Sequence, residues 1–319
     1  MPHALIVGIT GFTGSMLARR LVAQGWMVRG IDESEDAAPQ LEDLGIEIEL
    51  ADVGDSDELD GLGMDGEHVF YVMRSVADTH DDMERRTIRG VANLVDAMGN
   101  AKIASFTYGS TLAVYGSGSP ATLSEGSPVK PNTGLGRLNV ETEELLMEHY
   151  ASTGFPARVV RAGTVYGPGG GTMESSLLHG RGIRLIGGGK NPTSRIHVED
   201  AAAIFEAVAV GGRSGEVYLA VDDNPAPASE YLGYLASEAG VAGPRSSPKL
   251  IVEAMVGLYG VIARITRTKS PISESLLGLV TGSYPTSNAK VREELRVALR
   301  YPTYVEGAVT LLDSMSGDG

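Results

Sequence analysis

At 319 residues the chain can form one large domain or two modest ones, and either can bury a sizeable core. Its formal charge of −15, from 26 Lys and Arg against 41 Asp and Glu, suits neither phosphate backbones nor anionic membranes, so nucleic acid and lipid surfaces are not expected partners. The absence of cysteine rules out thiolate nucleophiles, disulfides and thiolate-bound zinc, and fits a reducing, cytoplasmic setting.

The first residues lead straight into a strand-like Ala4-Leu5-Ile6-Val7 with no basic leader, so no signal peptide is expected. Short β-branched runs follow at 27–31, 47–50, 68–73, 105–108 and 158–161. Between them, apolar residues recur at helical spacing over 16–24, 86–98 and 139–151. Such alternation predicts an α/β fold, a Rossmann-type doubly wound parallel sheet with helices on both faces. After Tyr166 the pattern loosens into Gly- and Pro-rich loops. The expected organisation is a dinucleotide-binding domain over 1–166, joined by a returning helix near 197–211, and a smaller, mainly substrate-binding unit over 167–319. A short strand at 216–221 is read as part of that second unit. The apolar stretch 250–265 contains Glu253 and is too short and polar to span a bilayer; its 250–262 part reads equally as plain core or as the wall of a pocket for a large, flat, apolar substrate.

The first strand runs into Gly8-Ile9-Thr10-Gly11-Phe12-Thr13-Gly14 and then a helix. Glycines there allow a tight turn and a close approach of backbone N–H groups to a pyrophosphate, which the helix N-terminus also favours. Gly8, Gly11, Phe12, Thr13 and Gly14 are therefore the candidate phosphate cradle. Asp32 closes the second strand where an acid accepts from the adenosine ribose, and Asp52-Val53 follows the third where the adenine would lie. Glu33, Glu35 and Asp36 would repel a 2′-phosphate, which leans the expected cofactor from NAD(P)H in general toward NADH; Arg29 and Arg74 could each offset this by reaching such a phosphate.

From these residues onward the chain resembles the extended short-chain dehydrogenase/reductases, of NAD-dependent epimerase/dehydratase type. The resemblance is carried by the glycine loop, by Arg89-Gly90-Val91-Ala92-Asn93-Leu94, by Ser110-Thr111 ahead of Tyr115-Gly116, by Arg161 and Tyr166-Gly167-Pro168-Gly169, and by Ile196-His197-Val198-Glu199-Asp200. It implies that Thr111, with Ser110 beside it, polarises a substrate carbonyl. It also implies a Tyr and, four residues later, a Lys that together relay the proton. In the matching register those places hold Leu135 and Asn139, and no Tyr-x-x-x-Lys lies between Gly116 and His149. Leucine donates no proton, and asparagine carries no charge that would lower a neighbour's pKa. Asn139 keeps the place from which the lysine reaches the ribose and is counted with the cofactor site.

A small group of actinobacterial ketoreductases acting on aromatic polyketides is similar in lacking both residues. That likeness implies an NAD(P)H-dependent ketoreductase of antibiotic biosynthesis, reducing a bulky small-molecule ketone without the usual relay. The alternative is a catalytically silent dinucleotide sensor. A nucleotide-sugar epimerase or dehydratase fits less well, because such enzymes place an Arg four residues before the motif histidine, where this chain has Thr193. His197 is read as structural. His149 and His179 have no companions at metal-ligand spacing, so no metal is expected.

Overall fold

The computed structural model describes residues 1–33, 38–59, 61–73, 80–99, 101–118, 121–252, 254 and 282–316. Strands β1 (His3–Val7), β2 (Met27–Asp32), β3 (Glu47–Leu50), β4 (Glu67–Tyr71), β5 (Ser105–Thr111), β6 (Ala157–Ala162) and β7 (Val217–Ala220) form one sheet in the order β7-β6-β5-β4-β1-β2-β3. Every pairing within it is parallel. The accompanying helices are α1 (Phe12–Ala23), α2 (Gly90–Met98), α3 (Gly134–Thr153), α4 (Thr172–Leu178), α5 (Val198–Gly211), α6 (Ala228–Glu238) and α7 (Tyr304–Ser316).

A parallel sheet is covered on both faces, which is why β1 and β6 read as almost unbroken buried runs rather than alternating ones. Leu17 and Leu21 of α1 pack with Phe205 and Val208 of α5 on one face. Val91, Leu94 and Met98 of α2 pack with Leu146 of α3 on the other. Strand order reverses at β1, whose neighbours are β2 and β4, and ligands of open α/β sheets bind beyond the C-terminal ends of the strands at that point.

The returning helix expected near 197–211 is α5. The strand expected at 216–221 departs from the sequence reading: it is β7, paired with β6 in the main sheet rather than built into the second unit. A short apolar strand carries no mark of its partner: Tyr218 and Ala220 are buried in the cluster that holds α5, whereas Leu219, on the opposite parity, packs with Leu112, Val114 and Tyr115.

The remaining segments after Tyr166 have their own core, including Tyr166, Leu177, Leu185, Tyr231, Leu235, Tyr304 and Ala308. Arg195, 3% exposed, stacks over the Tyr231 ring at 4.5 Å and donates to the Ala226 carbonyl at 3.0 Å. Beside it lies Asp222, only 1% exposed, with Oδ1 accepting from Asn224 N–H at 3.3 Å. Burial pushes the Asp222 carboxyl up to about 7, against the pull of Arg195. The folded chain therefore holds a proton that the unfolded chain releases near its ordinary value of 3.8, so this group's contribution to stability falls as pH rises through that window. Asp222→Asn should stabilise the protein more at about pH 8 than at about pH 5, by on the order of 3 kcal/mol, because at pH 5 only the first part of the 3.8-to-7 window has been crossed. Thermal melts of both proteins at the two pH values check this; an equal shift at both would show that Asp222 does not titrate there.

His197 is fully buried. Its Nδ1 accepts from Glu199 N–H at 3.3 Å, which leaves the proton on Nε2 facing Thr310 Oγ1 at 3.0 Å, and burial lowers its pKa to about 4. It is a neutral, bonded histidine at the start of α5. Among the described residues no helix is long and apolar enough to cross a membrane.

Candidate active site

The glycine loop leaves β1 under close constraint. Gly8 has φ +84°, and a Cβ there would stand 2.7 Å from the Met73 backbone; a Cβ on Gly14 would land on the Gly8 carbonyl oxygen. These two glycines are required by the chain itself. Gly11 differs, since a Cβ would meet only the Gly8 carbonyl oxygen, at 3.2 Å, and the residue is exposed. Gly11 also caps α1 without a side-chain acceptor, and the first turn carries no acidic residue. An uncapped helix N-terminus leaves its leading N–H groups for an anion, and bare space over Gly11 is what a pyrophosphate needs. The residues present thus fit a dinucleotide.

Asp32 props this loop. Its Oδ2 accepts from Thr10 N–H at 2.9 Å and its Oδ1 from Glu33 N–H at 2.8 Å, tying the loop to the end of β2. Asp52 accepts from Gly54 N–H at 2.7 Å and pairs with Arg85. The Val53 side chain is buried in the core, and its carbonyl accepts from Asn93 at 3.0 Å, so only the backbone edge there is available to an adenine. Arg29 is held by Glu67 at 2.8 Å, toward the N-terminal ends of the strands, and so is turned away from any 2′-phosphate. Arg74 and the greater part of 250–262 lie outside the described residues.

At the end of β5 the two-residue period separates the candidate donors. Tyr108 and Ser110 face α3, whereas Gly109 faces Phe205 and Thr111 closes the strand on that other parity. The Ser110 hydroxyl donates to Glu143, which is clamped by Arg161 through Nη2 at 2.6 Å and Nε at 3.1 and 3.2 Å. Arg161 also donates to the Tyr115 hydroxyl at 2.8 Å, and Tyr115 donates to the Ser124 carbonyl at 2.9 Å. Burial raises the Tyr115 pKa against the pull of Arg161. The Ser110 and Tyr115 protons are therefore both engaged within the protein. Thr111, 2% exposed, accepts at Oγ1 from Ala113 N–H at 3.3 Å, and its own proton has no acceptor among the described residues. Thr13 and Ser110 line one small void with Gly109 and Val165, which brings the glycine loop against this strand end.

Thr133 starts α3 by accepting from Gly136 N–H at 3.0 Å, several residues before the helix expected from periodicity. Leu135 and Asn139 then sit one turn apart on its buried side. Leu135 packs with Met83 and Leu138. Asn139 is 4% exposed; its Oδ1 accepts from the Tyr108 hydroxyl at 2.9 Å and its Nδ2 donates to the Leu135 carbonyl at 2.9 Å. Sequence reading missed Glu143 as the partner that binds Ser110, although both flanking motifs were visible.

A family model described as the NAD dependent epimerase/dehydratase family matches residues 4–220. The chain belongs to that family. It is accordingly an NAD-dependent oxidoreductase by class. Among curated relatives, a dTDP-glucose 4,6-dehydratase of Streptomyces griseus is 29% identical over 263 residues, covering 75% of this chain and 79% of the relative. A 4-hydroxy-2-methyl-3-oxo-4-farnesyl-3,4-dihydroquinoline-1-oxide ketoreductase of Stigmatella aurantiaca is 27% identical over 248 residues, covering 75% and 74%. Among solved structures, a dTDP-glucose 4,6-dehydratase from Streptomyces venezuelae with NAD and TYD bound superposes with a TM-score of 0.80 at 19% identity, over 99% of this chain and 97% of that one. At that identity the likeness concerns the fold.

A cavity of about 800 Å³ opens between α4 and α7, lined by Gly169–Gly171, Ser175, His179, Arg181, Leu311 and Ser314 among others. A Cβ on Gly170 would strike the Phe12 ring, so the wall of the cavity rests on the segment that follows the glycine turn after β1. Thr111 and Leu135 are not among its described lining residues, which separates this space from the end of β5.

Proposed function

We propose that this family member is an NAD(P)H-dependent ketoreductase that reduces a bulky aromatic, polyketide-type ketone without the Tyr/Lys relay. The observation that carries the reading is the end of β5. Thr111 closes the strand with a hydroxyl proton that no described residue accepts, while Leu135 stands in apolar packing and Asn139 is bonded to Tyr108. The bound cofactor would supply a hydride to the carbonyl carbon. Thr111 would donate a hydrogen bond to the carbonyl oxygen as negative charge gathers there, and the proton that completes the alcohol would come from solvent or from a hydroxyl beside the ketone. A general acid contributes about 10²–10⁴-fold, so its absence slows the reaction without preventing it. The chain's acidic adenosine end leans the cofactor toward NADH.

The test is loss of reduced-nicotinamide absorbance with a panel of hydroxylated aromatic ketones; dTDP-glucose is the comparison, with its product followed by chromatography because dehydration consumes no net reductant. Tight NADH binding with no oxidation by any ketone would favour the silent sensor instead. Turnover of the sugar nucleotide alone would favour the dehydratase line of relatives. Leu135→Ala should keep turnover within about fivefold, because it removes packing and no proton; a loss of about 10²-fold or more with binding intact would give that position a chemical role.

A further inference from the structure

Arginines of this acidic chain commonly hold a carboxylate, even at the surface. Arg20 pairs with Glu206 at 2.6 Å, Arg213 with Glu294 at 3.0 Å and Arg300 with Glu199 at 2.7 Å, while Arg85 and Arg86 share Glu33. Arg181 differs. It is exposed, it lines the cavity of about 800 Å³ between α4 and α7, and it has no ion pair or hydrogen bond among the described residues. The local sequence supplies no partner, because Asp and Glu, 41 of the 319 residues, are absent from 175–198.

The cavity joins this cation to an apolar surface. Leu178 and Leu311, both part of the second core, form its floor, and Ser175 adds a hydroxyl. His179, one turn after Ser175, bonds the Ser175 carbonyl through Nδ1 at 2.7 Å. A carbonyl only accepts, so Nδ1 carries the proton there and Nε2 is the nitrogen left to face a ligand; it donates when the ring is cationic. No acidic residue is among the described lining. Asp313 on α7 is exposed but outside that lining. Glu174 stands behind the wall, where a Cβ on Gly171 would meet its Oε2; it is buried, and burial raises its pKa, opposing the charged form. Volumes of about 300–1,000 Å³ with mixed apolar and polar walls are usual for small-molecule sites.

We propose that the cavity between α4 and α7 binds an amphipathic organic anion, a carboxylate on an apolar body, whose head pairs with Arg181 beside His179 while the body lies on Leu178 and Leu311. A guanidinium's fork of donors matches the two oxygens of a carboxylate. The occupant is a second ligand and not the ketone under reduction, since Thr111 and Leu135 are outside the described lining. Its binding depends neither on the ketoreductase reading nor on a bound dinucleotide.

Calorimetric titration of 2-naphthoate tests this, with uncharged 2-naphthamide as the body without its charge, acetate as the head alone, and folding of each variant checked by thermal melts. Wild type should bind 2-naphthoate at one saturable site, at least about 10-fold more tightly than either comparison. Arg181→Gln, at an exposed position, should weaken 2-naphthoate about 10-fold and leave 2-naphthamide within about twofold. Ser314→Trp, also at an exposed position, places a large ring in the cavity and should abolish binding of both. Absence of saturable 2-naphthoate binding, equal affinity for acid and amide, or wild-type affinity in a folded Arg181→Gln or Ser314→Trp protein would overturn the proposal. Displacement of 2-naphthoate by NADH would overturn it too, by placing the probe in the dinucleotide site.

Discussion

Gly11→Val should abolish NADH binding while leaving the thermal melt close to wild type, whereas Gly14→Ala should damage the fold itself. The two glycines look interchangeable in a motif, but they face different things. Space beside Gly11 is bounded only by the Gly8 carbonyl oxygen, 3.2 Å from where a Cβ would stand, so a valine can be accommodated by the chain and obstructs only what approaches from outside. Branched methyl groups there would fill the volume a pyrophosphate occupies and shield the leading N–H groups of α1. The loss should exceed about 10²-fold in Kd, since several charge-assisted hydrogen bonds fail together. At Gly14 the added methyl lands on the Gly8 carbonyl oxygen, and Gly8 itself has Met73 backbone at its back, so the loop cannot yield. Overpacking of this kind costs about 1–3 kcal/mol or more. Calorimetry and melts of the two variants separate these effects; unchanged NADH affinity in a folded Gly11→Val protein would remove the loop from the cofactor site.

Thr111→Val should lower the single-turnover rate of hydride transfer by about 10²-fold, with substrate affinity changed far less. One donor to a developing oxyanion is worth on the order of 10²–10³-fold, and its bond strengthens only as the transition state forms. The adjacent hydroxyl offers no substitute: Ser110 faces α3 and gives its proton to a carboxylate that Arg161 holds. Adding Ser110→Ala should therefore lower stability, by depriving buried Glu143 of a donor, without deepening the kinetic loss. Because Thr111 also accepts from Ala113 N–H, Thr111→Ser is the control; it keeps the hydroxyl and should restore most of the rate. Wild-type rates in Thr111→Val would mean that positioning and the substrate's own groups suffice.

Much of the frame could be read from the sequence because a parallel sheet leaves a double signature: buried β-branched runs, and helical spacing between them. The strands that begin at Glu47 and Ser105 stand where the runs placed them. The partner of β7 could not be read, because pairing across the sheet leaves no local trace. The start of α3 was misplaced for a different reason: Thr133 caps a first turn rich in glycine and arginine, which periodicity does not register. At the site, residue types were legible and their bonds were not. Ser110 and Thr111 are neighbours in sequence but have opposite surroundings, a difference set by strand parity and by Glu143 on another element. Arg85 and Arg86 gave no signal at all, since their connection to Glu33 spans more than 50 residues.

The bond between Tyr108 and Asn139 bears on the chain's evolutionary reversibility. Tyr108 is buried in β5 and gives its proton to the Asn139 amide oxygen. A lysine at that place has three donors and no acceptor, so restoring it would deprive the tyrosine of this bond inside the core. Installing Leu135→Tyr and Asn139→Lys would thus carry a stability penalty before any proton moved, unless strand β5 changed with them. With Tyr108 and Asn139 as mutual partners, a return to lysine would pass through a less stable protein. Epistasis of this sort acts as a ratchet, in which one core bond limits the substitutions that a descendant of this chain can accept.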